Sequence, residues 1–476
     1  SNNAALGMQA LNQNTTASYN TAVGYQSLYT NVTGNALSAL GFEALKLNTG
    51  SNNSAVGFKA LATNSSGSTN TAMGDRALYS NTTASNNTAV GYQAGYFTTT
   101  ANRLTAIGQH AGFGQATGAE NTYVGYASGP NTVTNASGQF NTGLGAFSLY
   151  SNTTASNNTA VGFQSLYANT TGDSSTSVGY QALATATTGN SNSAFGTEAL
   201  KYTTTGIRNS AFGGRDYDGG VSGYASLNLN TTGSYNSAFG QGALANNTTA
   251  SYNTAVGYQA GYAYNGALGS NTYLGFQAGL NSTGDSNTFV GARVISSGKG
   301  CGQDMTTGAK NTIIGAYSGY ISGVLDIRTA SNYIVLSDGD GNPRLYHTST
   351  GQLYLNAQTA GAGLSTLKYN YNTGAVTYDA SSSRFKENIR DSKYGLAEVL
   401  QLQSRQYEFI ADGQPDVGLI AEEVNLIIPE LVGKDVQDRP TSVAYDRFVS
   451  VLVKAIQELS AKNDALTDRI TALEGN

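Results

Sequence analysis

The chain has 476 residues, of which only 11% are charged, with 59 Gly, 31 Tyr and a formal net charge of −5. Disordered chains combine high charge with few aromatics, so this composition excludes disorder, and without a basic stripe it excludes nucleic-acid binding. No apolar run is long enough to span a membrane and no basic-plus-apolar leader opens the chain, so neither membrane insertion nor a signal peptide is expected.

From the N-terminus, the pentad Asn-Thr-Ala-Val-Gly or a close variant recurs, as in Asn20–Gly24, Asn53–Gly57, Asn87–Gly91, Asn158–Gly162 and Asn253–Gly257. Its Gly marks eighteen positions from Gly7 to Gly315, and eleven of the seventeen intervals are seventeen residues long. A fixed short period means one supersecondary unit stacked many times. Because Ser1-Asn2-Asn3 already falls inside a repeat, the natural protein is expected to extend upstream.

Each period has an apolar half, such as Ala22-Val23-Gly24-Tyr25-Gln26-Ser27-Leu28, and a polar turn-forming half, such as Asn81–Asn87. β-branched and aromatic runs bounded by Asn, Gly and Ser predict strands and turns, and no repeat is long enough for a helical pattern. Seventeen residues predict a rung of two short strands and two turns. The Gly is expected to supply a positive φ or a close backbone approach, and the Asn a hydrogen-bond ladder between rungs. About four modest apolar side chains per rung predict that burial needs stacking and association of several chains, preferably three.

Where the period slips, residues are inserted: about three near Gly129–Asn135, ten between Gly213 and Gly240, and seven between Gly291 and Gly315. Insertions in a solenoid map to surface loops. The middle one holds Arg215, Asp216, Tyr217, Asp218 and Tyr224, a charged and aromatic patch that is either a tolerated loop or a receptor contact. Asn-x-Thr/Ser sequons recur because the repeat does. The Thr residues are placed in turns, which argues against an ice-binding face. With about 13 acidic residues and no recurring cluster, the rod offers no carboxylate constellation for glycan cleavage.

The repeat is expected to dissolve near residue 320. From Ala316 to Ala380 alternating strands follow, among them Tyr333–Leu336, Leu353–Leu355, and a hairpin of Leu367–Asn370 with Ala375–Tyr378. Asp338-Gly339-Asp340-Gly341-Asn342 imitates a calcium loop, but Pro343 replaces its turn Gly and Ser349 its bidentate Glu, so a β-turn is expected. His110 and His347 are too few and scattered for a metal site or a Ser-His-Asp triad, and no metal or cofactor is expected. The lone Cys301 excludes an intrachain disulfide and fits first folding in a reducing cytoplasm.

Charge then rises sharply: residues 1–380 hold 13 Lys/Arg and 13 Asp/Glu, whereas residues 381–476 hold 11 and 16. This later segment carries Ser381-Ser382-Ser383-Arg384-Phe385-Lys386-Glu387-Asn388-Ile389, then Asp416–Val424, Pro429–Val432 and Val443–Asp446. A helix follows in which Leu452, Ile456, Leu459, Asn463, Leu466, Ile470 and Leu473 form a heptad seam. Asn463 falls at an a-type position that fixes register. Ile at a with Leu at d favours two strands in isolated coils; the rod and globular part are expected to override this in favour of three. The alternative is a helix that serves only as core.

Two resemblances attach to these motifs. The repeats resemble the head repeats of trimeric autotransporter adhesins, with their Asn-Ser-x-Ala-x-Gly pattern and left-handed parallel β-roll, although the period here is longer. Residues 380–476 closely resemble the intramolecular chaperone domain of endosialidases, phage tail fibres and L-shaped fibres, also found in myelin regulatory factors. That resemblance implies a domain that trimerises the fibre and then cuts itself off. Ser381 matches the nucleophile of the family's Ser-Asp-x-x-x-Lys pattern and Lys386 its basic partner, so the scissile bond would be Ala380–Ser381. Asn388 matches the family's Lys-Glu-Asn-Ile run without a catalytic role. Ser382 stands where the family usually has Asp, which implies slower cleavage or none. The chemistry also holds without the family: a serine after a carbonyl attacks it through Oγ, and a partly desolvated lysine serves as base. The competing reading makes Ser381–Ser383 a turn and Lys386 a surface cation.

The expected architecture is mainly β: a parallel β-roll or β-solenoid-like trimeric shaft over 1–320, a β-rich connector over 321–380, and a small α+β chaperone domain over 381–476 ending in a coiled coil at 452–473. The expected function is a trimeric receptor-binding tail fibre of a phage or phage-like particle, made in the host cytoplasm and extracellular when functional. Its only enzymatic act would be self-cleavage. Its partners would be two further copies, a host cell-surface glycan or protein receptor, and an upstream attachment protein. The alternative is a bacterial surface trimeric adhesin.

Overall fold

The computed structural model describes residues 2–215, 223–291, 293–294, 297–355, 367–369, 376–378, 387–410, 413–435 and 437–475. They fall into two compact units, Ser1–Gln358 and Thr359–Asn476.

The first unit is a β-solenoid. Eighteen three-residue strands, β1 (Ala4–Leu6) to β18 (Thr312–Ile314), each pair in parallel with the next at one fixed register, as in Ala22 opposite Ala39 and Ala39 opposite Ala55. Alternation along a strand explains the Thr-Ala-Val pattern. The first and third residues face outward, whereas the second, Ala in most coils, is fully buried in a narrow lumen at 0% exposure for Ala22, Ala55 and Ala89.

Each coil holds one strand where two were expected. The second apolar stretch is curled by left-handed residues at regular places, such as Gln26 (φ 51°) and Leu28 (φ 51°). It still bonds to the next coil, with Leu28 N–H to Ala44 C=O at 3.0 Å and Thr30 N–H to Lys46 C=O at 3.0 Å. A left-handed non-Gly residue costs about 1–2 kcal/mol. Burying a leucine such as Leu28, Leu45 or Leu78 returns about 1.5–3 kcal/mol and offsets only part of that cost; the buried Ala column and the hydrogen bonds between coils must supply the rest.

Stacking supplies the burial that a single rung lacks, as expected. Stacked Ala and Leu form one continuous core within one chain. Where a strand carries a large residue, the leucine column yields: Tyr123 is met by Gly112 and Gly129, Tyr273 by Gly261 and Gly279, and Phe289 by Gly302. Volume is conserved between neighbouring positions, as close packing requires.

Two other columns hold the coils in register. All marker glycines except Gly291 have φ between 113° and 153°, and a Cβ on Gly91 would lie 2.6 Å from the Gly108 carbonyl oxygen. Both expected reasons for glycine therefore hold. The pentad Asn is buried, and its Oδ1 accepts the backbone N–H one coil on, as Asn53 does from Asn70 (2.8 Å) and Asn70 from Asn87 (3.0 Å). Its Nδ2 donates across the turn, Asn70 to Ala84 C=O at 2.9 Å. Asn70→Ala would strip the buried Asn87 N–H of its partner, while Ala84 C=O keeps its bond from Asn81 Nδ2 at 3.1 Å, so a loss of about 1–3 kcal/mol is expected. Urea unfolding of the purified shaft would measure it.

The threonines also need correction. Besides those in turns, a Thr/Ser rank occupies the first strand position, as in Thr71, Thr88, Thr105 and Thr122. The third position beside it is apolar, so the face is still not a Thr-x-Thr surface.

The ladder continues past residue 320. After the short hairpin β19 (Tyr320–Ile321) and β20 (Leu325–Asp326), β21 (Ile334–Ser337) adds in parallel to β18. Then β22 (Pro343–His347) and β23 (Leu353–Leu355) close the sheet in antiparallel fashion. The turn between β21 and β22 is organised by Asp338, whose Oδ1 accepts from Asn342 N–H at 2.9 Å and whose Oδ2 accepts from Arg344 Nε at 2.8 Å. Burial works to raise the Asp338 pKa, but these hydrogen bonds outweigh it and hold the carboxyl at about 2. That carboxylate is thus committed to the turn.

In the second unit, β24 (Leu367–Tyr369) and β25 (Val376–Tyr378) pair antiparallel. Then come α1 (Leu396–Val399), the hairpin β26 (Arg405–Glu408) and β27 (Pro415–Gly418), α2 (Ala421–Ile427), a 3-10 turn (Pro429–Leu431), the pair β28 (Val432–Lys434) and β29 (Pro440–Val443), and α3 (Tyr445–Glu474).

Candidate functional site in the C-terminal unit

The expected cleavage residues Ala380, Ser381 and Lys386, with Ser382, lie outside the described residues. The structure resumes at Glu387, and Asn388 adopts a left-handed φ of 54° on an exposed stretch that runs to Lys393.

Beyond it, a small core gathers Val424, Ile428 and Leu431 against Val451 of α3, with Tyr394, Val399, Leu402, Leu419 and Phe448 around them. Polar contacts clamp the pieces. Leu419 N–H donates to the Tyr445 hydroxyl at 2.7 Å, and Leu396 N–H, at the start of α1, donates to Glu458 Oε2 at 2.8 Å. Lys393 Nζ lies 2.6 Å from Glu430, and the Tyr394 hydroxyl also donates to that carboxylate. These two donors hold Glu430 down to about 2. The start of α1 is therefore tied to the middle of the long helix through Glu458.

Only the start of α3 serves that core: Val451 and Ala455 are buried. From there the seam is bare, with Ile456 64%, Leu459 47%, Leu466 53%, Ile470 53% and Leu473 76% exposed. A helix acting solely as core does not fit this pattern. Thirty residues of α3 carry an apolar stripe that the single chain leaves in water.

Residues 381–433 match the family profile of Peptidase_S74, chaperone of endosialidase. The match to this chaperone family covers α1, the β26–β27 hairpin, α2 and the 3-10 turn, and it begins at the residue expected to be the nucleophile. No curated protein and no solved structure matches the chain. A β-solenoid followed by a segment similar to the endosialidase chaperone fits a tail fibre or spike with a C-terminal chaperone.

In the shaft, the expected contact loop is described only at its base. Asp216, Tyr217 and Asp218 lie outside the described residues. Arg215 pairs with Glu198 at 2.9 Å, Lys201 pairs with the same carboxylate at 2.7 Å, and Tyr224 packs near Tyr262 with ring centres 6.2 Å apart. Burial works to raise the Glu198 pKa, but the two cations outweigh it and keep it below the usual carboxylate range. Arg215 and Tyr224, the described members of that patch, thus have partners within the shaft.

Sequence reasoning missed the outward columns. The residue after each marker Gly is often aromatic, and Tyr25, Phe42 and Phe58 stack at 5.1 and 5.2 Å. A second stack joins Tyr79, Tyr96 and Phe113. The signal was the position one and five residues past the Gly, legible only once the coil closes.

Proposed function

We propose that this chain is the shaft and assembly end of a trimeric tail fibre of a phage or phage-like particle. In this reading the C-terminal segment gathers three copies and then cuts itself off between Ala380 and Ser381. The observation that carries the reading is a chaperone-of-endosialidase match starting at residue 381, C-terminal to a sparsely charged β-solenoid. The shaft would present host-surface contacts, and its insertion at Arg215–Tyr224 is the place to seek them.

The self-cleavage proceeds by attack of the Ser381 Oγ on the Ala380 carbonyl carbon. Lys386 in its neutral form takes the hydroxyl proton, and the Ala380–Ser381 C–N bond breaks as an ester forms. The freed Ser381 amino group takes a proton, and water then hydrolyses the ester, restoring the hydroxyl. Full-length expression should yield a fragment of about 10 kDa, the share of 96 residues in a 49.2 kDa chain. Ser381→Ala should leave one full-length product by intact-mass analysis. A single unprocessed species in the parent would sink self-cleavage.

A further inference from the structure

We propose that the outer face of the strand ladder is the surface along which copies of this shaft pack, side by side, parallel and in register. From β1 to β18 the third strand residue is apolar in every coil, and the first is Ala, Thr or Ser. Neither rank contains a charge. Leu6, Leu40, Met73, Ile107, Leu144 and Leu274 of the third rank are between 39% and 70% exposed.

The rank runs unbroken over eighteen coils, the kind of extended patch that can supply the ~800 Å² per partner of a stable interface. A monomer seldom leaves such a continuous patch in water. A fitting partner must offer a matching uncharged rank at the coil spacing over eighteen coils, and this shaft itself offers it. A charged or irregular partner meets neither condition.

The insertions point the same way. The ten-residue and seven-residue slips both leave the coil just after a marker glycine, since Ser226 N–H bonds Gly213 C=O and Gly279 N–H bonds Cys301 C=O. The smaller slip lies in the far turn near Asn131. None of the three interrupts the strand face. A face occupied along its length excludes extra residues there and tolerates them elsewhere. The inference rests on the fibre reading only for the number of copies.

The test is cross-linking of the full chain with a short bismaleimide at Leu144→Cys, with Thr171→Cys in an exposed turn as control. Buried Cys301 provides a negligible background, checked on the parent chain. Leu144→Cys should convert most of the material to covalent pairs, at least tenfold more than Thr171→Cys. Sedimentation showing a trimer without preferential linking at Leu144 would overturn the proposed face and leave the fibre reading standing. A monomeric full chain would overturn both.

Discussion

Gly91→Ala is expected to open the shaft between two coils. The residue holds φ at 135°, a region that is essentially glycine-only and costs about 1–3 kcal/mol for other residues. The added Cβ would also lie 2.6 Å from the Gly108 carbonyl oxygen and 2.7 Å from its carbon, both backbone atoms that cannot rotate away. Together these predict a loss of at least ~3 kcal/mol at that step of the ladder. In a stack where each coil touches only its neighbours, such a loss fractures locally. Limited proteolysis should then cut between residues 91 and 108, and the Tm should fall. Gly172→Ala provides the contrast: a Cβ there would also lie 2.6 Å from a carbonyl oxygen, that of Gly189, but its φ is not in the left-handed region and its column already accommodates Ala84, Ala101, Ala155 and Ala250. It should cost clearly less. Equal melting of Gly91→Ala and the parent would refute the steric argument.

Ile456→Asp combined with Leu459→Asp is expected to abolish association of the full chain if the last helix must gather the copies before their shafts can pack. Both side chains are exposed in the single chain, so replacing them leaves the fold of one copy intact. In a coiled coil the same positions are buried, and each carboxylate would have to be desolvated against its copies at several kcal/mol. Analytical ultracentrifugation should show monomer in place of trimer, with unchanged circular dichroism from the shaft. A trimer surviving both substitutions would assign association wholly to the shaft. In the proposed reading, where the C-terminal segment gathers three copies and then cuts itself off, the same variant should also leave the chain unprocessed.

How far the sequence could be read differs by element. The pentad located each of the eighteen solenoid strands, because a glycine that must adopt a positive φ and an asparagine that must reach the next coil leave fixed marks. The second apolar stretch misled: Leu28 and its equivalents look like strand residues, yet packing into the lumen forces them left-handed. The ladder itself runs on past the expected end of the repeat near residue 320. The pentad fades there, but Ile334–Ser337 still pairs with Thr312–Ile314 through backbone groups that carry no sequence signature. In the C-terminal unit the heptad spacing was plain, whereas the contact of Glu458 with Leu396, sixty-two residues apart, was not.

The sequence by itself determined period, strand position and the apolar seam of the last helix, because these depend on local conformation and side-chain spacing. Only the tertiary structure decided which residues face the lumen, how Tyr123 and Gly129 trade volume, and which column stays bare. Those outcomes arise between coils seventeen residues apart, where contact is set by closure of the turn. The uncharged strand face, invisible as a surface until the coil closed, is the place where this shaft is most open to its own copies.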